Sequence, residues 1–280
     1  MQINTKNPAA VENEIKLILS NICGTNETKF VHEAIEWIVE CFDGRFDGFQ
    51  SIDVKYHDLE HTFQGLICMT KIFQGLRQAN FVPEINKETL KLAILAILFH
   101  DSGYLKSKSD IIGTGAKYTL IHVHRSAEFA ELYLSKKGFS KNQIESIQRM
   151  IHCTGIRVDL NQIQFKNEQE RIAGLALGSA DLLGQMADSC YVEKLPELFY
   201  EFQEALKYDP KAKDVIQNFE SPEELIAQTP NFWKNIVLPR LEKDFIGLYK
   251  YLNDPWPDGP NPYIKAIEKN MKKIKQLYST

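Results

Sequence analysis

Helical periodicity of the apolar residues is the feature that most constrains this chain. In the segment KETLKLAILAILFH, residues 87–100, Leu90, Ile94, Ile97 and Leu98 recur at spacings of three and four. Alternating apolar and polar residues, the mark of a half-buried strand, are nearly absent. The sequence therefore predicts an all-α fold.

The same periodicity predicts the individual helices. They cover residues 9–22, 28–42, 58–78, 87–101, 119–136, 141–153, 168–188, 190–206, 222–252 and 261–278. Cap residues support several boundaries, with Asn86, Thr119 and Ser140 as expected starts and Gly103, Gly138 and Gly155 as expected ends. The last helix carries a narrow apolar stripe among lysines, so we expect it to pack on the body of the protein and not on a membrane.

The composition and net charge of the chain limit the kinds of partner that we expect it to bind. The chain has 280 residues, 44% of them hydrophobic, which is enough for one large core. A net charge of −4 gives no general attraction to polyanions, so neither a nucleic acid nor a membrane surface is expected as a partner. A small-molecule substrate fits this charge better, and the sequence leaves the oligomeric state open.

The cysteines and the amino terminus bear on location. Five scattered cysteines, none in a C-x-x-C pair, are typical of buried thiols in a reducing compartment. The chain starts without the basic and then apolar order of a signal peptide, and no window reaches the roughly 18 apolar residues of a membrane span. We therefore expect a soluble, cytoplasmic protein.

Histidines are concentrated in one part of the chain. Six of the seven lie between residues 57 and 152, in the runs YHDLEH, FHD, IHVH and IH. His57 and His61 are four residues apart, so they can reach one site from a helix that begins at residue 58. His100 and Asp101 end a strongly apolar helix, where a buried carboxylate needs compensation that a divalent cation supplies. An exposed helix end is the alternative.

Further candidates follow along the chain. On a helix over 119–136, His122 faces inward and His124 outward, and His152 near the end of the next helix can face the same cavity. An ordinary histidine at the edge of the core is the alternative for His152.

Asp181 lies among alanine and leucine in the helix over 168–188 and is therefore expected to be buried, with a salt bridge to Arg149 or Arg171 as the alternative to metal binding. Gln185 and Asp188 share its face and are candidates for contacts with substrate or with the ligands.

These motifs resemble a known superfamily. The run Tyr56-His57-Asp58-Leu59-Glu60-His61, followed by His100-Asp101 and then Asp181, resembles the H…HD…D pattern of HD-domain metal-dependent phosphohydrolases. The YHxxxH run is also similar to class I cyclic-nucleotide phosphodiesterases, although those enzymes usually have a histidine shortly after HD, where this chain has HDSGY. The resemblance covers roughly residues 50–190. It implies an HD-domain-like helical bundle there, within a single domain over 1–280 whose helical extensions are 1–49 and 191–280.

The resemblance also implies roles for the residues. His61, His100, Asp101 and Asp181 would bind the first of two divalent ions, chosen from Fe, Mn, Zn and Mg. Asp101 would bridge to a second ion held by His122 and His152, and His57 would donate a proton to the leaving oxygen. Asp58 and Glu60 are near enough in sequence to hold His57 protonated.

Phosphate contacts are expected close to the start of the His122 helix. Lys117 and Arg125 flank that start, and an ordinary surface charge is the alternative for each. The loop SDIIGTGAKYT contains a short G-x-G that can bring backbone amides near a phosphate, with a plain flexible loop as the alternative.

The function expected is hydrolysis of a phosphate ester, a phosphodiester or a nucleotide-like small molecule, by a metal-activated hydroxide with His57 as general acid. Two alternatives from other classes share the scaffold. One is a dinuclear iron oxygenase, which has a very similar ligand set. The other is a non-catalytic, nucleotide-binding sensor.

Metal content separates the expected roles of the histidines. His100→Ala or Asp101→Ala should abolish metal occupancy, whereas His57→Ala should leave the metal bound and slow turnover by roughly a hundredfold or more, as expected for a general acid. Elemental analysis of the purified variants measures occupancy. Equal metal loss in all three would contradict the role of His57.

Overall fold

The most apolar segment of the chain forms the central part of the bundle. In the computed structural model, which describes residues 3–23, 28–155, 158–209, 211 and 219–278, the helix Lys87–Phe99 buries every residue from Leu92 to Phe99. Asn86 caps its start by accepting a hydrogen bond from Thr89 N at 2.8 Å, as expected. A helix buried on all sides must be enclosed by other helices, and the rest of the fold surrounds it.

The described part of the chain is helical, without a regular strand. The α-helices are α1 (Pro8–Cys23), α2 (Thr28–Phe42), α3 (Leu59–Gln78), α4 (Lys87–Phe99), α5 (His122–Lys136), α6 (Lys141–Ile151), α7 (Glu168–Met186), α8 (Tyr191–Tyr208), α9 (Pro222–Phe232), α10 (Leu238–Glu242) and α11 (Pro262–Tyr278). Short 3-10 helices at Ser102–Tyr104, Gly115–Tyr118, His152–Thr154, Leu160–Gln162 and Leu248–Leu252 connect them. The all-α prediction is confirmed.

Two predicted helices differ from the observed ones by more than two residues. α5 begins at His122 and not at Thr119, because residues 115–118 form a separate 3-10 helix that Thr119 ends. The helix expected over 222–252 is interrupted: a π-helical segment, Trp233–Val237, separates α9 from α10, and left-handed backbone at Ile246 and Gly247 turns the chain before Leu248–Leu252. Prolines at 230 and 239 remove backbone donors from this stretch, which explains the irregular hydrogen bonding.

A close crossing of α3 and α7 controls the geometry of the interior. Gly184 of α7 lies against the backbone of α3, where an added Cβ would be 2.8 Å from Gln64 C and Gly65 N. Gly65 is one turn beyond His61, and Gly184 is one turn beyond Asp181. The absence of a side chain at Gly184 therefore lets the two helices approach where they carry their polar residues.

The last helix packs on the body, as expected. Ile267, Met271 and Ile274 of α11 are at most 5% exposed. Asn270 is also buried and donates hydrogen bonds to Met186 O at 2.9 Å and Asp188 O at 2.7 Å, at the end of α7. Within the described residues, no helix is both long and apolar enough to cross a bilayer.

The cysteines follow the expectation only in part. Cys41, Cys68 and Cys153 are buried, and burial raises the pKa of each thiol, so these side chains stay protonated. Cys190 is exposed and departs from the prediction, since it lies between α7 and α8 at the surface. The side chain of Cys23 lies outside the described residues.

The α3–α7 crossing can be tested with two matched glycine variants. Gly184→Ala should lower the free energy of unfolding by about 1–3 kcal/mol, because its Cβ meets backbone atoms that cannot move aside. Gly65→Ala should change it by less than about 1 kcal/mol, since its Cβ meets the flexible end of Ile97 at 3.2 Å and alanine favours the helix. Denaturant unfolding of both variants measures the difference, and equal values would contradict the close crossing.

Candidate metal centre

Three helices bring the predicted metal ligands together. Asp58 accepts a hydrogen bond from His61 N at 2.9 Å and so caps α3, which places His61 in its first turn. His100 follows the last residue of α4, and Asp101 comes next. Asp181 lies in the second half of α7. The four side chains therefore approach a common point from α3, α4 and α7.

The facing atoms lie within contact distance. His61 Nε2 is 3.1 Å from Asp101 Oδ2 and 3.2 Å from Asp181 Oδ1. His100 Nε2 is 3.2 Å and 3.4 Å from the same two oxygens. The side chains of His61, His100 and Asp101 are at most 4% exposed, and that of Asp181 is 13% exposed. Two imidazoles and two carboxylates thus surround one small, shielded volume.

Hydrogen bonding in this volume is incomplete in a way that fits a cation. The Nε2 atoms of His61 and His100 and Oδ2 of Asp101 are buried and make no hydrogen bond of acceptable geometry, despite the short distances. Ligands about 2.1 Å from a cation lie roughly 3.0–3.4 Å from one another in octahedral or tetrahedral geometry, and the separations here match. The ligand atoms of these three residues all lie within 4.8 Å of one another. This donor set suits a divalent ion.

Without a cation, protons balance the charges of the cluster. Burial lowers the pKa of His61, but the carboxylates of Asp101 and Asp181 outweigh it and raise that pKa to about 9. Burial would raise the pKa of Asp101, yet His100 and His61 hold it well below its ordinary value. A metal ion therefore has to displace protons from the imidazoles.

Asp181 has none of the salt bridges considered as an alternative. Arg149 pairs with Glu170, and Arg171 pairs with Glu168 at 2.6 Å. The charged neighbours of Asp181 in the cluster are the two histidines. The exposed-end alternative for His100 and Asp101 is also wrong, because both side chains are buried.

Gln185 supports Asp181 from the next turn of α7. Its Nε2 donates to Asp181 O at 3.0 Å and lies 3.4 Å from Asp181 Oδ1. Its Oε1 accepts a hydrogen bond from the Tyr56 hydroxyl at 2.6 Å. Gln185 therefore connects the tyrosine of the YHDLEH run to a candidate metal ligand. Contact with substrate remains a prediction for this residue.

Asp188, the other candidate on this face, belongs to a different polar group. Its Oδ2 accepts from Gln64 Nε2 and is paired with Lys194 Nζ, both at 2.8 Å. Lys194 also pairs with Glu60 at 2.8 Å. These contacts fasten the end of α7 and the start of α8 to the first turns of α3. A substrate contact of Asp188 is untested.

His122 lies at the rim of the cluster. Its Nδ1 is 2.6 Å from Thr119 O, so Nδ1 carries the hydrogen and Nε2 is directed to Asp101 Oδ1 at 3.8 Å. Burial lowers the pKa of His122, which favours the neutral imidazole that binds metals. The predicted orientations are confirmed, since the side chain of His122 is 21% exposed and that of His124 is 71% exposed.

The structure places His152 next to His124. The two rings stack with their centroids 6.5 Å apart. The pKa of His152 is lowered by burial and by its neighbour His124. Among the described residues, no ion pair joins His152 to Asp101 or Asp181. The structure therefore brings His122 near Asp101 and places His152 against His124, and a metal-binding role of His152 remains a prediction.

His57 lies beside the cluster and has a carboxylate partner that sequence reasoning missed. Its Nδ1 is 2.6 Å from Oε2 of Glu201, a buried residue of α8 that is 144 residues away in the chain. The other oxygen of Glu201 accepts from Lys55 N at 2.9 Å and Tyr56 N at 2.7 Å. Glu201 thus fixes both the backbone before His57 and the His57 ring. No local pattern in the sequence marks this residue.

The expected partners of His57 are occupied elsewhere. Asp58 caps α3, and Glu60 accepts from Thr5 Oγ1 at 2.9 Å and pairs with Lys194. Neither carboxylate is the direct partner of His57, and their influence on its protonation remains a prediction. The side chains of Asp58 and Glu60 bind other groups, and Glu201 is the carboxylate that contacts His57.

The cations expected to contact phosphate have partners of their own. Lys117 Nζ donates to Asp110 Oδ1 and to Ile112 O. Arg125 donates to Gly103 O at 2.7 Å and Leu105 O at 2.8 Å, and its guanidinium lies 3.6 Å from the centre of the Tyr118 ring. Both side chains hold the segments around the site in place. Their contact with phosphate remains a prediction.

Two amides of the G-x-G loop, Thr114 N and Gly115 N, are hydrogen-bonded within the protein. Gly115 N donates to Asp53 Oδ1 at 2.7 Å, and Thr114 N donates to Glu204 Oε1. Thr114 Oγ1 also donates to Glu204, at 2.6 Å. Only a four-residue 3-10 helix follows the loop. Carboxylates of the protein already accept from these two amides, and phosphate binding by this loop remains a prediction.

Comparison with known protein families identifies one to which this chain is similar. A family model described as Npun_R2479-like matches residues 108–253, just over half of the chain. The chain belongs to the Npun_R2479-like family. The matched part of this Npun_R2479-like chain contains His122, Asp181 and Glu201, while the run with His57 and the HD pair lie before it. A search of curated proteins found no match. The family description names no activity, so function has to be argued from the site.

Proton release is the signature of this cluster when it binds a metal. We predict that a divalent cation added to the metal-free protein releases protons at pH 7, because His61, with a pKa of about 9, must lose its proton to become a ligand. The apparent affinity should rise as the pH increases toward 9, and release from His61 should fall to near zero above it. Calorimetric titration in buffers of different ionisation enthalpy measures this release. Equal release at pH 7 and well above pH 9 would contradict the prediction.

Proposed function

We propose that this chain is an HD-domain-like, metal-dependent hydrolase of a phosphate ester, either a phosphodiester or a nucleotide-like small molecule, that acts in the cytoplasm. One observation carries the proposal. Buried imidazole and carboxylate atoms of His61, His100 and Asp101 that lack hydrogen-bond partners converge with Asp181 of α7, beside a histidine that is hydrogen-bonded to a buried glutamate. Structural ion pairs satisfy their atoms mutually, whereas this cluster leaves donors and acceptors directed at one point.

The ligands divide into an inner and an outer set. His61, His100, Asp101 and Asp181 would hold the first divalent ion, because their facing atoms have the separations of neighbouring ligands. His122, near the other oxygen of Asp101, would contribute to a second. Bound ions of this kind supply an acidified water as nucleophile and neutralise charge on phosphoryl oxygens.

His57, held by Glu201, would donate the proton that the leaving group needs. Glu201 accepts from Nδ1 of His57, so the second proton of the imidazolium is on Nε2, and the carboxylate stabilises that charged ring. His57 can then protonate the leaving oxygen from Nε2. The side chain of His57 is 15% exposed, which leaves it accessible to a substrate that enters from the solvent side.

A substrate panel tests the reaction class. The metal-free protein is reloaded with Mn, Fe, Zn or Mg and incubated with cyclic nucleotides, nucleoside mono- and triphosphates and an aryl phosphodiester. The proposal requires metal-dependent release of phosphate or a monoester without oxygen uptake. Oxygen uptake by the iron-loaded protein would assign it to the oxygenases, and nucleotide binding without turnover would make it a sensor.

Glu201 offers a sharper prediction within the same assay. Glu201→Gln should lower kcat by roughly tenfold or more while the metal content stays unchanged, because an amide stabilises imidazolium poorly. Glu204→Gln is the matched control, since this glutamate, one turn further along α8, binds Thr114 and not His57. Similar losses in both variants would contradict a specific role for Glu201.

A further inference from the structure

Tyr104 is a buried residue whose ring contacts both His57, the proposed proton donor, and His122, the proposed ligand of the second ion. Tyr104 is 0% exposed and lies three residues after Asp101, at the end of the 3-10 helix Ser102–Tyr104. Its ring stacks on His57, with centroids 4.7 Å apart and planes 20° from parallel, and on His122, at 4.7 Å and 15°. One flat side chain therefore contacts two imidazoles that come from different parts of the chain.

The backbone around Tyr104 is fastened to the helix that carries His122. Gly103 N donates to Ser126 Oγ at 2.8 Å, and Gly103 O accepts from Arg125 Nε at 2.7 Å. A Cβ at Gly103 would lie 2.0 Å from His122 O, so only glycine permits this approach. Arg125 also donates to Leu105 O. Hydrogen bonds to the residues before and after Tyr104 therefore fix its backbone, and its ring has a defined position relative to α5.

The ring planes matter because the reactive atoms lie at the far edges of the imidazoles. Each ring makes one hydrogen bond through Nδ1, His57 to Glu201 and His122 to Thr119 O. The covalent link to Cβ and one hydrogen bond at Nδ1 restrain each ring, but the broad range of acceptable hydrogen-bond angles still lets the ring plane tilt. Stacking on a fixed flat surface removes this freedom and so sets the direction of Nε2.

We propose that Tyr104 is a positioning residue that sets the ring planes of His57 and His122 together, through its flat face and not through its hydroxyl. The hydroxyl makes no hydrogen bond of acceptable geometry, whereas the face makes two stacking contacts. The consequence for turnover rests on the proposed function. The ordering of the two rings does not, since it exists in the protein without metal or substrate.

Three variants test the ordering. Tyr104→Phe keeps the flat face, and Tyr104→Met keeps an apolar side chain but loses the face. Tyr133→Met is the matched control, because Tyr133 is equally buried but packs in the aromatic core against Phe99 and Phe129. Thermal unfolding of each variant establishes that it is folded.

Imidazole NMR of the metal-free protein is the first measurement. We expect single, sharp long-range ¹H–¹⁵N signals for His57 and His122 in the wild type, Tyr104→Phe and Tyr133→Met. In Tyr104→Met both should broaden or double. His100, whose Nδ1 is held by Ile97 O at 2.7 Å, should stay unchanged and serves as the internal reference.

Kinetics of the metal-loaded protein is the second measurement. Tyr104→Met should lower kcat on the order of tenfold or more, with KM changed less than about threefold, because misplaced reacting atoms slow the chemical step more than binding. Tyr104→Phe should retain kcat within about twofold. Metal content at the inner site should be equal in all variants.

The outcomes separate the two proposals. Sharp signals for His57 and His122 in Tyr104→Met would overturn the positioning role. Broadened signals or a tenfold loss of kcat in Tyr104→Phe would also overturn it, because that variant keeps the flat face. This second test can be judged even if the methionine variant does not fold. Broadened signals in Tyr104→Met, in a protein whose wild type hydrolyses no ester, would support the positioning role while the proposed function fails.

Discussion

Burial of opposite charge at one point is the constraint on which the rest of this structure depends. Asp101 and Asp181 sit beside His61 and His100 with almost no access to water, where an unpaired carboxylate is strongly destabilising. None of the four could occupy its position alone. The helices that carry them must therefore meet at a fixed distance, and the glycine crossing of α3 and α7 permits it. The core and the candidate site are thus parts of one packing arrangement.

The chain contains two kinds of polar group, and their hydrogen bonding distinguishes them. In the group formed by Glu60, Asp188 and Lys194, each charge has its counterpart at 2.8 Å, so the group serves to join α3, α7 and α8. In the cluster around Asp101, the distances are short but the hydrogen bonds are missing. Satisfied charges stabilise a fold, whereas directed and unsatisfied ones indicate a ligand.

Helix α8 contacts the segments around the candidate site. Through α8, Glu201 reaches His57, and Glu204 anchors the loop at Thr114. The family match includes α8 in its range, 108–253. The same helix therefore holds both His57 and the loop at Thr114 in place.

Local chemistry determined what the sequence could predict by itself. The helices, the caps at Asn86 and Ser140, and the inward and outward faces of His122 and His124 depend on residues within a few positions of one another. The convergence of His61, His100, Asp101 and Asp181 was also expected, from an ordered motif.

Tertiary structure alone decided the other features, because each depends on residues that are far apart in sequence. Glu201 displaced Asp58 and Glu60 as the partner of His57 from 144 residues away. His152 lies against His124, and carboxylates from other segments accept from Thr114 N and Gly115 N of the G-x-G loop. The spacing of residues along a helix predicts which side chains share a face. Only the packing between helices decides which side chains from different helices come into contact.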